Sequence, residues 1–528
     1  MIEATVHSSL RTFLRKQGEP SWPHHLTMAR LVARALRLER SALIQTGSPQ
    51  RRYCLSYLAS ALLWKGSVLL VVPELIQEWL LQVEIPRLQA WMGTDKAVAI
   101  GDRFVDELFQ GLLITSPQSW LADRLEGQGR FPAGIPTIID GADDLESWTR
   151  DRLTACLQPV DWDELMQRCP DQADAIRDAR VRLTKAIFQH PPNPYQCCLL
   201  EKPEQEILQT LYEQLGMRNR LAIQDAKDNG SQLCELPAPI PIAWKNFWHQ
   251  WQESAQLMWA AIARSQGQFS LFCGPVEVAT ALEKVWLQQP VVVIGEALDL
   301  ERSASIYRQQ LGLGDLTCIK FSPDRQRELI QLYLPDRLPM PNTPQFQEML
   351  KQQVQMLLKI GANLNTPVIL LVGDMPLKAQ LGAVLAAEFG SRVQVETTKM
   401  DGNGILVSGW EFWRQHHGAF PAPQLLMIAT LPIPSLEDPL VAGKVAYYKQ
   451  RRQDWFRLYL LPAALRELQR AIAPVRESQG VVALLDNRVN HRSYGRQVLS
   501  ALSPFARINY LDATWFSSPN SLPEDNWL

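Results

Sequence analysis

Apolar positions in the first 150 residues alternate between two rhythms. Leu26, Met28, Ala29, Val32, Ala35 and Leu36 recur at helical spacing, and Ala42-Leu43-Ile44 follows as an unbroken apolar run ending at Gly47. A second helical stretch, from Cys54 to Trp64, stops at Gly66, and 67–72 reads as a fully buried strand. Residues 111–115 and 136–140 supply two more such runs. Short strands without in/out alternation, separated by helices, predict a parallel sheet covered on both faces.

From Asp151 to Gln266 the strand rhythm disappears. This segment is Trp-rich (Trp162, Trp244, Trp248, Trp251, Trp259) and broken by prolines at 191–194 and 237–241, which predicts a helical insertion. Its tryptophans are read as core side chains, with a base-stacking platform as the alternative. Strand rhythm resumes at 269–272 and 290–294, which returns the chain to the first unit. After Gly312 a second α/β unit has strands at 367–372, 404–407, 425–428 and 481–485, with a proline-rich connector at 334–344. The predicted fold is therefore α/β, with two parallel-sheet lobes. Lobe 1 spans 1–150 with 267–298 returning to it, the insertion spans 151–266, lobe 2 spans 299–516, and 517–528 is a tail.

Composition adds little to this picture. A chain of 528 residues holds about three domains at roughly 100–200 residues each. No run of about 18 apolar residues predicts a membrane span. The first fifteen residues lack the apolar core and cleavage site of a secretory signal, so the cytoplasm is the expected location and no membrane partner is expected. The net charge of −2 argues neither for nor against nucleic acid. Residues 440–500, however, carry eleven Lys/Arg against four acids. That excess makes Arg451, Arg452, Arg492 and Arg496 candidates for phosphate contacts; a solvated helical face explains the same charges. The eight cysteines form no C-x-x-C pair, and adjacent Cys197 and Cys198 would rarely both ligate one cluster. Free thiols are expected, without an iron–sulfur cluster.

Two places carry candidate chemistry. A P-loop follows a strand and opens a helix; its glycines let backbone N–H groups cradle phosphates, its Lys reaches the β- and γ-phosphates, and its Ser/Thr hydroxyl holds Mg²⁺. Gln45-Thr46-Gly47-Ser48-Pro49-Gln50-Arg51-Arg52-Tyr53 lies at such a place. Gly47 is the one glycine, Arg52 stands for the Lys and Tyr53 for the hydroxyl. In Thr137-Ile138-Ile139-Asp140-Gly141, Asp140 ends a buried strand, as a Mg²⁺ ligand would, but a strand-end cap would look the same. Gly141 cannot orient a water.

The ordered series of blocks resembles the DinG/XPD family of superfamily 2 DNA helicases over nearly the whole chain. Trp22-Pro23-His24-His25-Leu26-Thr27-Met28 is similar to the family's adenine-side R-P-x-Q-x-x-M, with His25 at the Gln. The loop from Gly47 through Ser48 and Arg52 to Tyr53 matches G-T-G-T-G-K-T. Leu113 to Asp123 resembles L-x-T-x-x-x-x-L-x-x-D, and Asp140-Gly141-Ala142-Asp143 matches D-E-A-H. In lobe 2, Ile428-Ala429-Thr430-Leu431-Pro432-Ile433-Pro434 with Asp438-Pro439-Leu440 is close to I-x-x-L-P-F-x-x-P-x-D-P-L. Gln469 to Arg476 stands at Q-G-x-G-R-L-I-R, and Asp486-Asn487-Arg488 with Tyr494-Gly495-Arg496 matches the closing D-x-R and Y-G-R.

The resemblance implies two RecA-like lobes of the P-loop NTPase type and a helical arch inserted in the first. It implies ATP and Mg²⁺ as cofactors and single-stranded DNA or RNA as partner. Carried over by position, the phosphate Lys is Arg52, the catalytic Glu is Gly141 and the first motif VI arginine is Ala473; Asp140, Gln469 and Arg476 survive as vestiges. Framework residues remain while catalytic ones are substituted, so weak or absent hydrolysis is the expectation. Two other readings stand beside it. One is a working helicase in which Asp143 or Asp144 positions water. The other is a scaffold for a protein partner.

Overall fold

A computed structural model describes residues 2–17, 22–216 except 105 and 107, and 240–510 except 342, 363 and 365. The predicted tail at 517–528, Cys234 and positions 237–239 of the second proline joint lie outside the described residues. No described helix is long and apolar enough to cross a membrane.

Lobe 1 begins with β1 (Ala42–Gln45), β2 (Val68–Val71), β3 (Val98–Ile100), β4 (Leu112–Thr115) and β5 (Thr137–Asp140). The chain then makes the insertion strands β6 (Ala155–Leu157), β7 (Cys197–Leu199), β8 (Gln256–Ala263) and β9 (Gln268–Pro275). It re-enters lobe 1 as β10 (Val291–Gly295) and β11 (Thr317–Lys320). The lobe 1 sheet is parallel, in the order β11-β1-β10-β5-β2-β4-β3. Its central strands are buried at every position because both faces are covered. Ile44, Leu70, Ile114 and Ile294 pack into one core, which includes the helices Ile2–Gln17, His25–Leu38 and Gln50–Leu63. Leu43, Leu69, Leu113 and Val293 pack into the opposite one.

Lobe 2 repeats the plan with β12 (Ile330–Tyr333), β13 (Val368–Leu371), β14 (Val393–Val395), β15 (Ile405–Ser408), β16 (Leu425–Ile428), β17 (Val481–Leu484) and β18 (Phe505–Ile508). Its parallel order is β14-β15-β13-β16-β17-β12-β18. Helices start where the sequence offers a cap. The Asp374 carboxylate accepts the Leu377 N–H at 2.7 Å, and that of Asp438 accepts the Leu440 N–H at 2.9 Å, each with a proline in the first turn. The described residues from 334 to 343 of the proline-rich segment are free of helix and strand, and Pro344 opens the helix Pro344–Ile360.

Three expectations need correction. The 151–266 insertion is not purely helical, since β6, β9, β8 and β7 form an antiparallel sheet in that order. Phe269–Phe272 does not return to lobe 1, because β9 pairs with β8 and β6; the returning strand is β10. Lobe 2 does not begin at 299, because β11 pairs in parallel with β1, so lobe 1 runs through Lys320. The insertion sheet turns its core face to Trp162, Trp244 and Trp248. Its other face meets lobe 2, where the helix Pro439–Gln450 approaches at Gly443. A Cβ there would fall 2.9 Å from Leu257 Cδ2 and 3.1 Å from Leu199 Cδ1.

Candidate functional site

The sequence places the phosphate loop between β1 and the helix Gln50–Leu63, and there it lies, as Thr46 to Pro49. Its backbone donors are already engaged. The Thr46 N–H donates to Gly295 O at 2.9 Å and the Gly47 N–H to Glu296 O at 3.0 Å. The Ser48 N–H points to Thr46 Oγ1 at 3.4 Å, and Pro49 has none. Ser48 itself is 1% exposed. Arg52 leaves the loop and pairs with Glu328 at 2.8 Å, with Glu477 of lobe 2 at 3.9 Å.

Asp140 ends β5 with 0% exposure. One carboxylate oxygen accepts the Gln50 amide at 2.7 Å. The other accepts the Tyr53 hydroxyl at 2.7 Å and the Gly141 N–H at 2.9 Å. Burial pushes the Asp140 carboxyl up to about 6, while the Tyr53 hydrogen bond pulls the other way. Tyr53 thus closes onto the aspartate. Gly141 adopts φ +78°, in the left-handed region, with Trp148 and Pro73 beside it.

The other nearby carboxylates are also committed. Asp143 accepts the N–H groups of Glu296 and Ala297 at 2.8 and 2.7 Å. Asp144 takes both guanidinium nitrogens of Arg470, from lobe 2, at 2.9 and 3.3 Å. Both carboxylates are thus hydrogen-bonded within the protein. Glu296 is the group sequence reading missed: burial and then Asp143 push its carboxyl up to about 8. Nothing in the local sequence signals this, because Asp143 is 153 residues away.

His25 is 2% exposed, bonded through Nδ1 to Ser56 Oγ at 2.8 Å, and burial pushes it down to about 4. It faces the core as a neutral ring. Arg476 is 4% exposed and donates to four backbone carbonyls, Glu328, Leu502, Ser503 and Pro504, at 2.7–3.1 Å. These bonds tie lobe 2 together, and Arg476 also lines the cavity that holds Gly47 and Gln469. Gln469 lines a cavity of about 470 Å³ with Gly47, Glu296, Arg302, Lys320 and Arg325, and its buried Oε1 accepts no hydrogen bond.

A larger cavity, about 790 Å³, lies between the helix Leu145–Leu153, the insertion sheet and the lobe 2 helices Pro439–Gln450 and Leu461–Glu477. Arg150, Arg414, Lys444, Arg466 and Arg470 line it, and so do Trp259 and Phe272. Most of those cations face acids. Glu146 takes Lys444 and Arg150 at 2.8 Å each, and despite burial they hold its carboxyl well below the usual range. Arg414 lies 3.6 Å from Glu467, and Arg466 donates to the Gln310 amide oxygen at 3.1 Å. The predicted phosphate contacts are elsewhere. Arg451 sits 3.7 Å from Glu277 and 4.5 Å over the Tyr447 ring, while Arg452, Arg492 and Arg496 are exposed, and none of the four lines the larger cavity.

Residues 421–505 match the family model described as helicase C-terminal domain. The chain is 30% identical over 109 residues to the ATP-dependent DNA helicase YoaA of Escherichia coli (strain K12), covering 20% of this chain and 17% of that one. Against YoaA of Haemophilus influenzae (strain ATCC 51907 / DSM 11121 / KW20 / Rd) the identity is 24% over 265 residues, 46% of this chain and 40% of that one. The chain thus spans less than half the length of these curated relatives. In fold it is similar to a solved XPD helicase, with TM-score 0.57 and 13% identity over 92% of this chain and 99% of that one. S. tokodaii Xpd4 gives 0.58 and 12%, covering 92% and 99%.

Proposed function

We propose that this chain, a DinG/XPD-type superfamily 2 helicase family member by its helicase C-terminal match and its relatives, binds single-stranded nucleic acid without hydrolysing ATP. The observation that carries this reading is the closure of Asp140. A Mg²⁺ ligand must offer a free lone pair toward the nucleotide. Asp140 is instead fully buried, and both its oxygens are hydrogen-bonded inside lobe 1, to Gln50, Tyr53 and Gly141. The residues around it do not fit a magnesium-bound nucleotide. The N–H groups of Thr46, Gly47 and Ser48 already have acceptors, and Arg52 is paired with Glu328.

Two further terms of phosphoryl transfer are missing. Gly141 has no side chain to orient water, and Ala473, buried at the position of the first motif VI arginine, carries no charge. Such an arginine alone is worth about 10³–10⁵ in rate. The lobes meet instead through protein groups: Asp144 with Arg470, Glu146 with Lys444, Gln310 with Arg466.

The strand lies in the larger cavity under this reading. Four of its five cations already have carboxylate partners, so few phosphates are neutralised on binding. With a slope of about −0.7 per phosphate for single strands, the logarithm of affinity should fall with the logarithm of salt at a slope of about −1. The test is anisotropy of labelled oligothymidylate and oligouridylate in a salt titration, with and without ATP and Mg²⁺. Binding with that shallow slope, unchanged by nucleotide, supports the reading; no binding of either strand at low salt ends it.

A further inference from the structure

The insertion sheet has two unlike faces. On β8, Ala260 and Ile262 point into the insertion core, and on β9 so do Phe269, Leu271 and Cys273. Side chains alternate across a strand, so Leu257, Trp259 and Ala261 of β8 and Ser270, Phe272 and Gly274 of β9 share the opposite face. Leu257 on that face is covered by lobe 2 at Gly443. Trp259 and Phe272 are not covered in this way: they are half-buried, belong to no described hydrophobic core, and line the larger cavity. They are direct cross-strand partners, with ring centroids 5.3 Å apart and planes 8° from parallel. Small neighbours, Ala261 and Ser270, flank them on the same face.

Core packing does not account for a stacked aromatic pair on the wall of a cavity that charged side chains share. The charged residues around it do not account for strong phosphate binding either, since Lys444, Arg150 and Arg470 already face Glu146 and Asp144. An occupant of this cavity with a flat apolar face would meet the rings. We propose that Trp259, held in place by its stack on Phe272, is a base-stacking platform through which the chain selects unpaired bases with little regard to sequence. This rests on the reading of the chain as a single-strand binder. Aromatic–base stacking is sequence-tolerant because every base has a π-face, while a duplex keeps its base faces against one another and offers this ring nothing.

The test compares oligothymidylate with an oligomer of equal length whose central sugars lack bases, and with duplex DNA, on wild type, Trp259→Ala and Trp259→Phe. The wild type should prefer the base-bearing strand by about 5- to 150-fold for each base stacked. Trp259→Ala should bind the two strands equally, at the level the wild type shows for the abasic one, and Trp259→Phe should keep most of the preference. Duplex binding should not change with residue 259. Thermal melting checks that each variant is folded, and Trp259→Phe keeps the stack if Trp259→Ala does not fold. A base preference that survives Trp259→Ala, or no preference in the wild type, overturns the platform alone. Failure of the wild type to bind any single strand overturns the platform together with the reading it rests on.

Discussion

Replacing Asp140 with Asn removes a fully buried carboxylate while keeping its shape. Burial pushes the wild-type carboxyl up to about 6 from 3.8, against the Tyr53 hydrogen bond. An acid whose folded pKa is raised holds its proton more tightly in the folded chain. Its stabilising contribution is fully present below about pH 4 and is lost as pH rises through about 6. Two units at 1.36 kcal/mol each make that loss about 3 kcal/mol. Asn cannot ionise, and Gln50 can turn its amide to present a carbonyl to it, so Asp140→Asn should escape the loss. At roughly 2–4 °C per kcal/mol for a unit of this size, the wild-type melting midpoint should fall by about 6–12 °C relative to the variant between acid and neutral pH. Midpoints are the quantity to compare, because two lobes and an insertion need not melt in one step. Parallel pH profiles for the two proteins would refute the reasoning. So would a wild type stabilised by Mg²⁺ while Asp140→Asn is not, since that requires a carboxylate open to metal.

Other groups give independent checks. Gly141→Glu restores the family's catalytic residue but forces a side chain onto φ +78°, so it should yield no ATP turnover and lower stability by about 1–2 kcal/mol, measured by phosphate release and melting. Lys444→Ala leaves Glu146 buried with Arg150 alone and should cost about 3–5 kcal/mol, read as a loss of melting midpoint that Lys444→Arg partly recovers. The Glu296 carboxyl, raised from 4.5 to about 8 by burial and Asp143, contributes stability that is fully present below about pH 4.5 and is lost as pH rises to about 8; Glu296→Gln should flatten the melting profile across that window.

The two parallel sheets were legible because their strands are short apolar runs buried on both faces, as at Val68–Val71 and Val481–Leu484. The insertion sheet was not. In β8, Gln256–Ala263, the face away from the core also carries Leu257, Trp259 and Ala261, because lobe 2 and the cavity lie against it; the polar half of the alternation is therefore missing. β6 and β7 have three residues each, too short to carry a rhythm. β11 follows the second unit's apparent start in sequence yet pairs beside β1, which only the closed sheet reveals. At the site, Asp140 and Gly141 could be read from position, but the partners of Asp140 lie 87 and 90 residues away. The lobe-to-lobe pairs of Glu146 and Asp144 span 298 and 326 residues. Separations of that length leave no periodic trace in a single sequence. Arg476 looked like a vestigial catalytic arginine for the same reason: its carbonyl acceptors come from segments that nothing local connects to it.

The central claim is binding without turnover, and phosphate release from ATP tests it most directly. The purified chain is assayed with Mg²⁺, with and without single-stranded DNA, beside Arg52→Ala. The account predicts no release above background in any of these, and no difference between wild type and variant. DNA-stimulated release that Arg52→Ala abolishes would contradict it and make Arg52 a working phosphate contact.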